Sequence, residues 1–472
     1  MYASVGMPFD VLLVIMGFVM AMPEGSHPRA TIAAMMLASR TLYHEGAKML
    51  LSGDVTVIGG ENEYANSISF VKCCLAEDGI RTTYVRRLVF KRYYGSEIPA
   101  EFPDLIQKLS NLTSLSLSPA ESLLCNAMGE ALLSAVASLT SLTRLELNRG
   151  GKPCQKLLRA LRSPLRELVY TEDCEKTFTL SALSCCTQTL EVLQLQVARP
   201  RPGDDELEEL ITRFPKMSHL LLTLGSPYTP EPLVIGDYVL AFPNLKHLTT
   251  SVEYSPFNNR DIGFKEARWR NTEEAGRPDR SPWTSLTELR SDVVTAWAFG
   301  LTCKVEHLRL DITNVYDVKD FLSDVLADLR PTTLYLHIAL LDGLLVTRMT
   351  LESWKLRDYL AAAVKNHPPE LETVDVGVTL GYDRPNAELG YMLQGFAGLK
   401  VESFRVIVLG RMSGGFDSKP PETKDKDKML GGLDPEGIVQ RILGTIPSVR
   451  RAAFEVAGFP AHSARNYLDS DS

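Results

Sequence analysis

Of the side chains here that could do chemistry, four histidines and two carboxylate pairs come first. His219, His247, His307 and His337 each sit beside an apolar residue in a hydrophobic phrase, and Asp204-Asp205 and Glu208-Glu209 flank Leu207. Histidines on neighbouring strands could ligate zinc, but a zinc site needs further ligands at the same height, and the flanking residues supply no third one. The acidic pairs stand at a predicted helix start, where negative charge stabilises the helix dipole. Phosphate-cradling glycine loops, the His-Glu-x-x-His metal motif and the Gly-x-Ser-x-Gly nucleophile elbow do not occur. The reading is therefore a non-enzyme with neither metal nor cofactor.

The eight cysteines, at 73, 74, 125, 154, 174, 185, 186 and 303, include two adjacent pairs and no Cys-x-x-Cys. That pattern fits reduced, mostly buried thiols and an intracellular setting, cytoplasmic or nuclear. The formal net charge of −8 disfavours a nucleic-acid partner, because phosphate-tracking surfaces are basic. Asn111-Leu-Thr113 is an N-glycosylation sequon inside a hydrophobic phrase, read here as a chance match.

The elements that carry these side chains follow from a recurring phrase, two leucines three apart and a third two further on. It is clearest at Leu112/Leu115/Leu117 and Leu142/Leu145/Leu147. Looser copies lie at Leu165/Leu168/Tyr170, Leu190/Leu193/Leu195, Met217/Leu220/Leu222, Leu245/Leu248/Thr250, Val305/Leu308/Leu310 and Leu371/Val374/Val376. Steps between the middle residues from Leu115 to Leu248 run from 23 to 30 residues, close to the roughly 20 to 29 of leucine-rich repeats. Apolar stripes at helical spacing, such as Leu322/Val325/Leu326/Leu329 and Leu356/Tyr359/Leu360/Val364, fall between the phrases. Strands alternating with helices give an α/β solenoid, a parallel sheet with the helices outside it.

Side chains alternate along a strand, so residues beside the core leucines point away from the core. Those positions are Arg144, Glu146, Glu167, Gln194, His219, His247, Arg290, His307, Arg309, Tyr335 and His337. They predict a concave, charge-mixed wall for an unidentified protein partner, the alternative being a merely solvated face. His219 and His247 become neighbours if residues 223 to 244 form one repeat.

The amino-terminal run Val11 to Met22 is apolar but too short for a membrane span of about 20 residues, so no membrane is expected. It lacks the basic start of a signal peptide. It opens with Met7-Pro8-Phe9-Asp10-Val11-Leu12, and Ser39-Arg40-Thr41-Leu42-Tyr43 follows. These residues resemble an F-box, which opens Leu-Pro-x-Glu-Leu-Leu and later carries a Ser-Arg-x-Leu-Tyr type phrase. Met7 and Asp10 depart from that pattern, and the stretch from Pro23 to Pro28 makes a loose connection. The combination with repeats resembles the divergent F-box/leucine-rich-repeat proteins of fungi. The resemblance implies that Pro8, Leu12, Ile15 and Met16 face a Skp1-like adaptor, and that the chain is a substrate receptor of a Skp1-cullin-F-box (SCF) type ubiquitin ligase. The alternative is a scaffold whose first helices only cap the array.

The expected organisation is an F-box-like domain over 5–51 and an irregular repeat domain over 52–472. Residues 52–80 are read as a connection, Thr83 to Phe90 as the first strand, and 255–282 and 413–432 as polar inserts. The tail from Asn466 is read as frayed. An Asn or Cys ladder after the last leucine is missing, since Ala120 and Gly150 stand there.

Overall fold

The computed structural model describes residues 9–22, 28–59, 64–92, 99–172, 178–197, 212–224, 235–252, 261–276, 283–312, 317–339, 346–365, 370–379, 385–409, 433–457 and 464–467. The chain folds as two compact units, Met1–Met217 and Ser218–Ser472.

The first unit begins with three helices, α1 (Phe9–Met20), α2 (Pro28–Met36) and α3 (Arg40–Ser52). Met16, Val19, Ile32 and Leu42 form their buried centre, edged by Leu12, Leu13, Met36 and Leu50. Ser39 caps α3 by accepting from the Leu42 amide at 3.2 Å, which satisfies one orphan donor of the first turn. Gly46 lets the helices close up, because a Cβ there would lie 2.3 Å from Met36 Cγ and 2.9 Å from Met16 Cε.

Six parallel strands follow in sequence order: β1 (Asp54–Gly59), β2 (Arg87–Arg92), β3 (Ser114–Ser118), β4 (Arg144–Gly150), β5 (Glu167–Glu172) and β6 (Val192–Val197). Leu115, Leu145, Leu168 and Leu193 stand in register across β3 to β6, and all are at most 1% exposed. The array thus starts one strand earlier than the sequence reading, which took 52–80 as a connection and Thr83 to Phe90 as the first strand. Asp54-Val55-Thr56-Val57 alternates, with Val55 and Val57 buried, and a helix over Tyr64–Leu75 returns the chain to β2. Thr83 and Tyr84 close a 3₁₀ segment, Glu77–Tyr84, ahead of β2.

The second unit carries eight parallel strands in order: β7 (His219–Leu224), β8 (His247–Val252), β9 (Ser285–Asp292), β10 (Lys304–Ile312), β11 (Thr333–Ala339), β12 (Thr373–Thr379), β13 (Ser403–Leu409) and β14 (Arg451–Val456). A short β15 (Ala464–Tyr467) then pairs antiparallel with β14, so the tail is strand as far as Tyr467 rather than frayed. Each unit is a run of α/β leucine-rich repeats, as the phrases require. The Leu356/Leu360/Val364 stripe lies buried on a helix over Val346–Val364.

The insert over 255–282 holds a helix, Asp261–Ala275. Phe264, Ala267 and Asn271 are its buried side. Asn271 accepts from the Ile235 amide and donates to the Ala298 carbonyl, both at 2.9 Å, while the Arg268 guanidinium bonds Asp328 at 2.7 Å. The acidic pairs near Leu207 and the insert over 413–432 lie outside the described residues.

The missing asparagine ladder has a counterpart at the opposite ends of the strands in the first unit. Thr113 donates to the Arg86 carbonyl at 3.0 Å, Thr143 to Thr113 at 3.1 Å, and Thr189 to Leu165 at 2.8 Å. Ser141 and Ser163 donate to Leu112 and Leu139. Each hydroxyl ties its turn to a carbonyl of the preceding repeat, and at Arg86 and Thr113 that carbonyl also accepts backbone amides. Asn111 joins this set through Nδ2, donating to the Thr83 carbonyl at 2.8 Å.

Candidate protein-interaction faces

Helix α1 is apolar all round, and its packing divides that surface in two. Met16 is fully buried, Val19 is 8% exposed and Leu12 is half-buried against α2 and α3. Val11, Val14, Ile15 and Phe18 are 43, 57, 36 and 70% exposed. Their i, i+3, i+4, i+7 spacing makes one continuous stripe. Of the four residues assigned to a Skp1-like adaptor, Ile15 therefore lies on the open stripe, Leu12 at its edge and Met16 inside the three-helix core. Pro8 lies outside the described residues. The sequence could not divide the helix in this way, because an almost unbroken apolar run from Val11 to Met20 carries little phase.

Helix α3 is held to the repeats through Arg81. That side chain lies over the Tyr43 ring at 4.9 Å, donates to Glu77 at 2.8 Å and donates to both the carbonyl and the Sγ of Cys73 at 3.2 Å. Tyr43 of the Ser-Arg-x-Leu-Tyr phrase thus anchors the helices to the array.

On the open face of the first unit, Arg144 pairs with Glu167 at 2.5 Å across β4 and β5, and Glu146 accepts from Asn148. Gln194 is half-buried on β6. In the second unit the rings of His219 and His247 stack with centroids 4.2 Å apart and planes 5° from parallel, as their register on β7 and β8 dictates. Desolvation, with His247 close by, holds the His219 imidazole below its usual pKa.

From there, contacts run strand to strand. His247 Nδ1 lies 3.6 Å from Glu288, Arg309 Nε lies 3.1 Å from the Glu288 carboxylate as an ion pair, and the Arg309 guanidinium lies 5.7 Å from the Tyr335 ring centre. Burial raises the Tyr335 pKa. His337 pairs with Asp311 at 2.9 Å, and His307 with Glu306 at 3.6 Å. Arg405 bonds Asp375 and lies 3.8 Å from Glu455, and the bond to Asp375 raises its pKa. Cross-strand pairing of this kind between distant repeats is not legible in the sequence.

Among the described residues no cluster of three or more His, Cys, Asp or Glu side chains is placed to hold a metal ion. Burial pushes the Cys74 thiol up to about 12 and Cys303 up to about 11, which keeps both as inert thiols at neutral pH. No helix among the described residues is long and apolar enough to cross a membrane. An exposed sheet face built from stacked repeats is the kind of surface on which repeat proteins bind protein partners.

A scan of protein-family models gives no match. A search of curated proteins likewise gives none. Among solved structures, the chain is similar to the leucine-rich repeat-containing protein LegL7 from Legionella pneumophila, at 14% identity and a TM-score of 0.34, covering 78% of this chain and 91% of that one.

Proposed function

We propose that this protein is a substrate receptor of an SCF-type ubiquitin ligase, with α1 to α3 docking a Skp1-like adaptor and the open face of the repeats holding a protein substrate. The observation that carries this reading is the stripe of Val11, Val14, Ile15 and Phe18, left open on a helix whose other side is packed. A contiguous apolar patch rimmed by polar surface is a mark of an interaction site. The adaptor role needs no catalytic group, since holding the substrate near the ligase raises its effective concentration.

A second reading, a non-catalytic scaffold capped by its first helices, draws on the Arg81 link to Tyr43, because solenoids need a seal on their first repeat. Capture of purified Skp1 by the intact chain, set against a Val14→Asp/Phe18→Asp variant shown by circular dichroism to be folded, separates the two. Capture by the intact chain alone supports the ligase adaptor. Failure of both folded proteins to capture it leaves the helices as a cap.

A further inference from the structure

Charge on the open face of the second unit is compensated nearly everywhere. Glu288 serves both His247 and Arg309, Asp311 serves His337, and Arg405 lies between Asp375 and Glu455. Arg290 is the exception. It is exposed on β9 and, among the described residues, makes no hydrogen bond or ion pair.

Its register partners are Thr249 on β8 and Arg309 on β10, so two arginines stand opposite one another on adjacent strands about 4.8 Å apart. Like charges directly opposite one another repel. Of the two acids two residues away on its own strand, Asp292 is engaged in capping the helix Val293–Phe299, where it accepts from the Thr295 amide at 2.9 Å. The other, Glu288, is already ion-paired with Arg309. The open valence at this point of the wall is for an anion.

We infer that the protein partner of this face carries an acidic side chain which seats between Arg290 and Arg309, with Tyr335 forming the far wall. This rests on the reading of the repeats as a partner-binding face. A carboxylate suits the place because a guanidinium offers it two parallel N–H donors. Arg309 is already oriented by Glu288 and Tyr335, so only Arg290 must be ordered on binding. Thr249 lies half-buried on the other side of Arg290.

The test uses the full chain and a fluorescein-labelled peptide of alternating Glu and Ala, read by anisotropy, with alternating Gln and Ala as the uncharged control. Arg290→Gln should weaken the acidic peptide about tenfold, the value of one good charge-assisted pair, and Arg290→Lys should weaken it less. Arg451→Gln removes the same charge from an exposed arginine of β14 that is ion-paired with Glu402 at 3.1 Å and should leave binding unchanged. Equal loss in Arg451→Gln would mean diffuse Coulomb attraction and overturn the inference, as would no effect of Arg290→Gln or no preference for the acidic peptide. Arg290→Gln should still capture Skp1 as the intact chain does, so failure here is distinguishable from failure of the adaptor reading.

Discussion

The repeat phrase is broken at Thr250, where the third apolar residue should stand, and the break can be measured. Thr250 on β8 points into the core at 3% exposure, and its hydroxyl donates to Ser291 of β9, itself 0% exposed, at 2.7 Å. A hydrogen bond of this kind contributes about 0.5–1.5 kcal/mol net, while a buried hydroxyl deprived of its partner costs about 1–3 kcal/mol. Thr250→Val keeps the shape and removes the donor, so it should destabilise this part of the array by about 1–3 kcal/mol. Ser291→Ala should do much the same. Thr250→Val/Ser291→Ala removes both polar groups, and should cost less than the two single changes together by about 1 kcal/mol.

A long repeat array does not unfold in one step, so a global midpoint would blur the effect. Native-state amide hydrogen exchange on β8 and β9 reads it locally. Each single variant should lower protection there by a factor between about 5 and 150, the range equivalent to 1–3 kcal/mol. Strictly additive losses would refute the coupling and show that each hydroxyl finds another partner.

Two further outcomes follow from burial and charge. Met16→Ala should destabilise the first three helices by about 2–5 kcal/mol, the usual cost of truncating a fully buried Met, whereas Phe18→Asp should shift stability by no more than about 0.5 kcal/mol; amide hydrogen exchange in α1 to α3 would contradict the assigned helix phase if Phe18→Asp proved the costlier. His219 has a folded-state pKa below the usual value because burial desolvates it, so its neutral form is favoured in the fold, with His247 and Lys246 also opposing the imidazolium and Glu288 favouring it. The unfolded chain then binds the proton more readily, and stability at β7 should fall as pH drops from about 6.5 toward the folded pKa. His219→Gln should flatten that part of the profile, and an unchanged acid slope in the variant would assign the loss to other groups.

The strands were legible wherever the phrase was kept, because Leu115, Leu145 and Leu168 need a shared core and a parallel register supplies it. The sequence reading missed β1 because Asp54-Val55-Thr56-Val57 has no leucine, although its alternation was present. Reading 255–282 as a polar insert hid a helix, since Ala267 and Asn271 are a small residue and an amide rather than an apolar stripe. Asn271 is buried because it bonds two backbone groups of other elements. No composition rule distinguishes such an asparagine from a solvated one.

The two interaction faces were legible to different depths for a related reason. Alternation along a strand fixes which side chains share the open face, so His219 beside His247 could be anticipated once one repeat separated them. Whether a charge on that face is satisfied depends on the register of strands some 20 to 40 residues apart in the chain, and on which acid is already engaged. Arg290 and Arg309 look equivalent in the sequence, each two residues from an acid of its own strand. Register makes them different, because Glu288 is ion-paired with Arg309 on the neighbouring strand and Asp292 is turned to the Thr295 amide. Capacity for an acidic partner on this sheet would then be a property of what the fold leaves over after its own pairings, and Arg290→Gln should weaken it about tenfold without disturbing a strand.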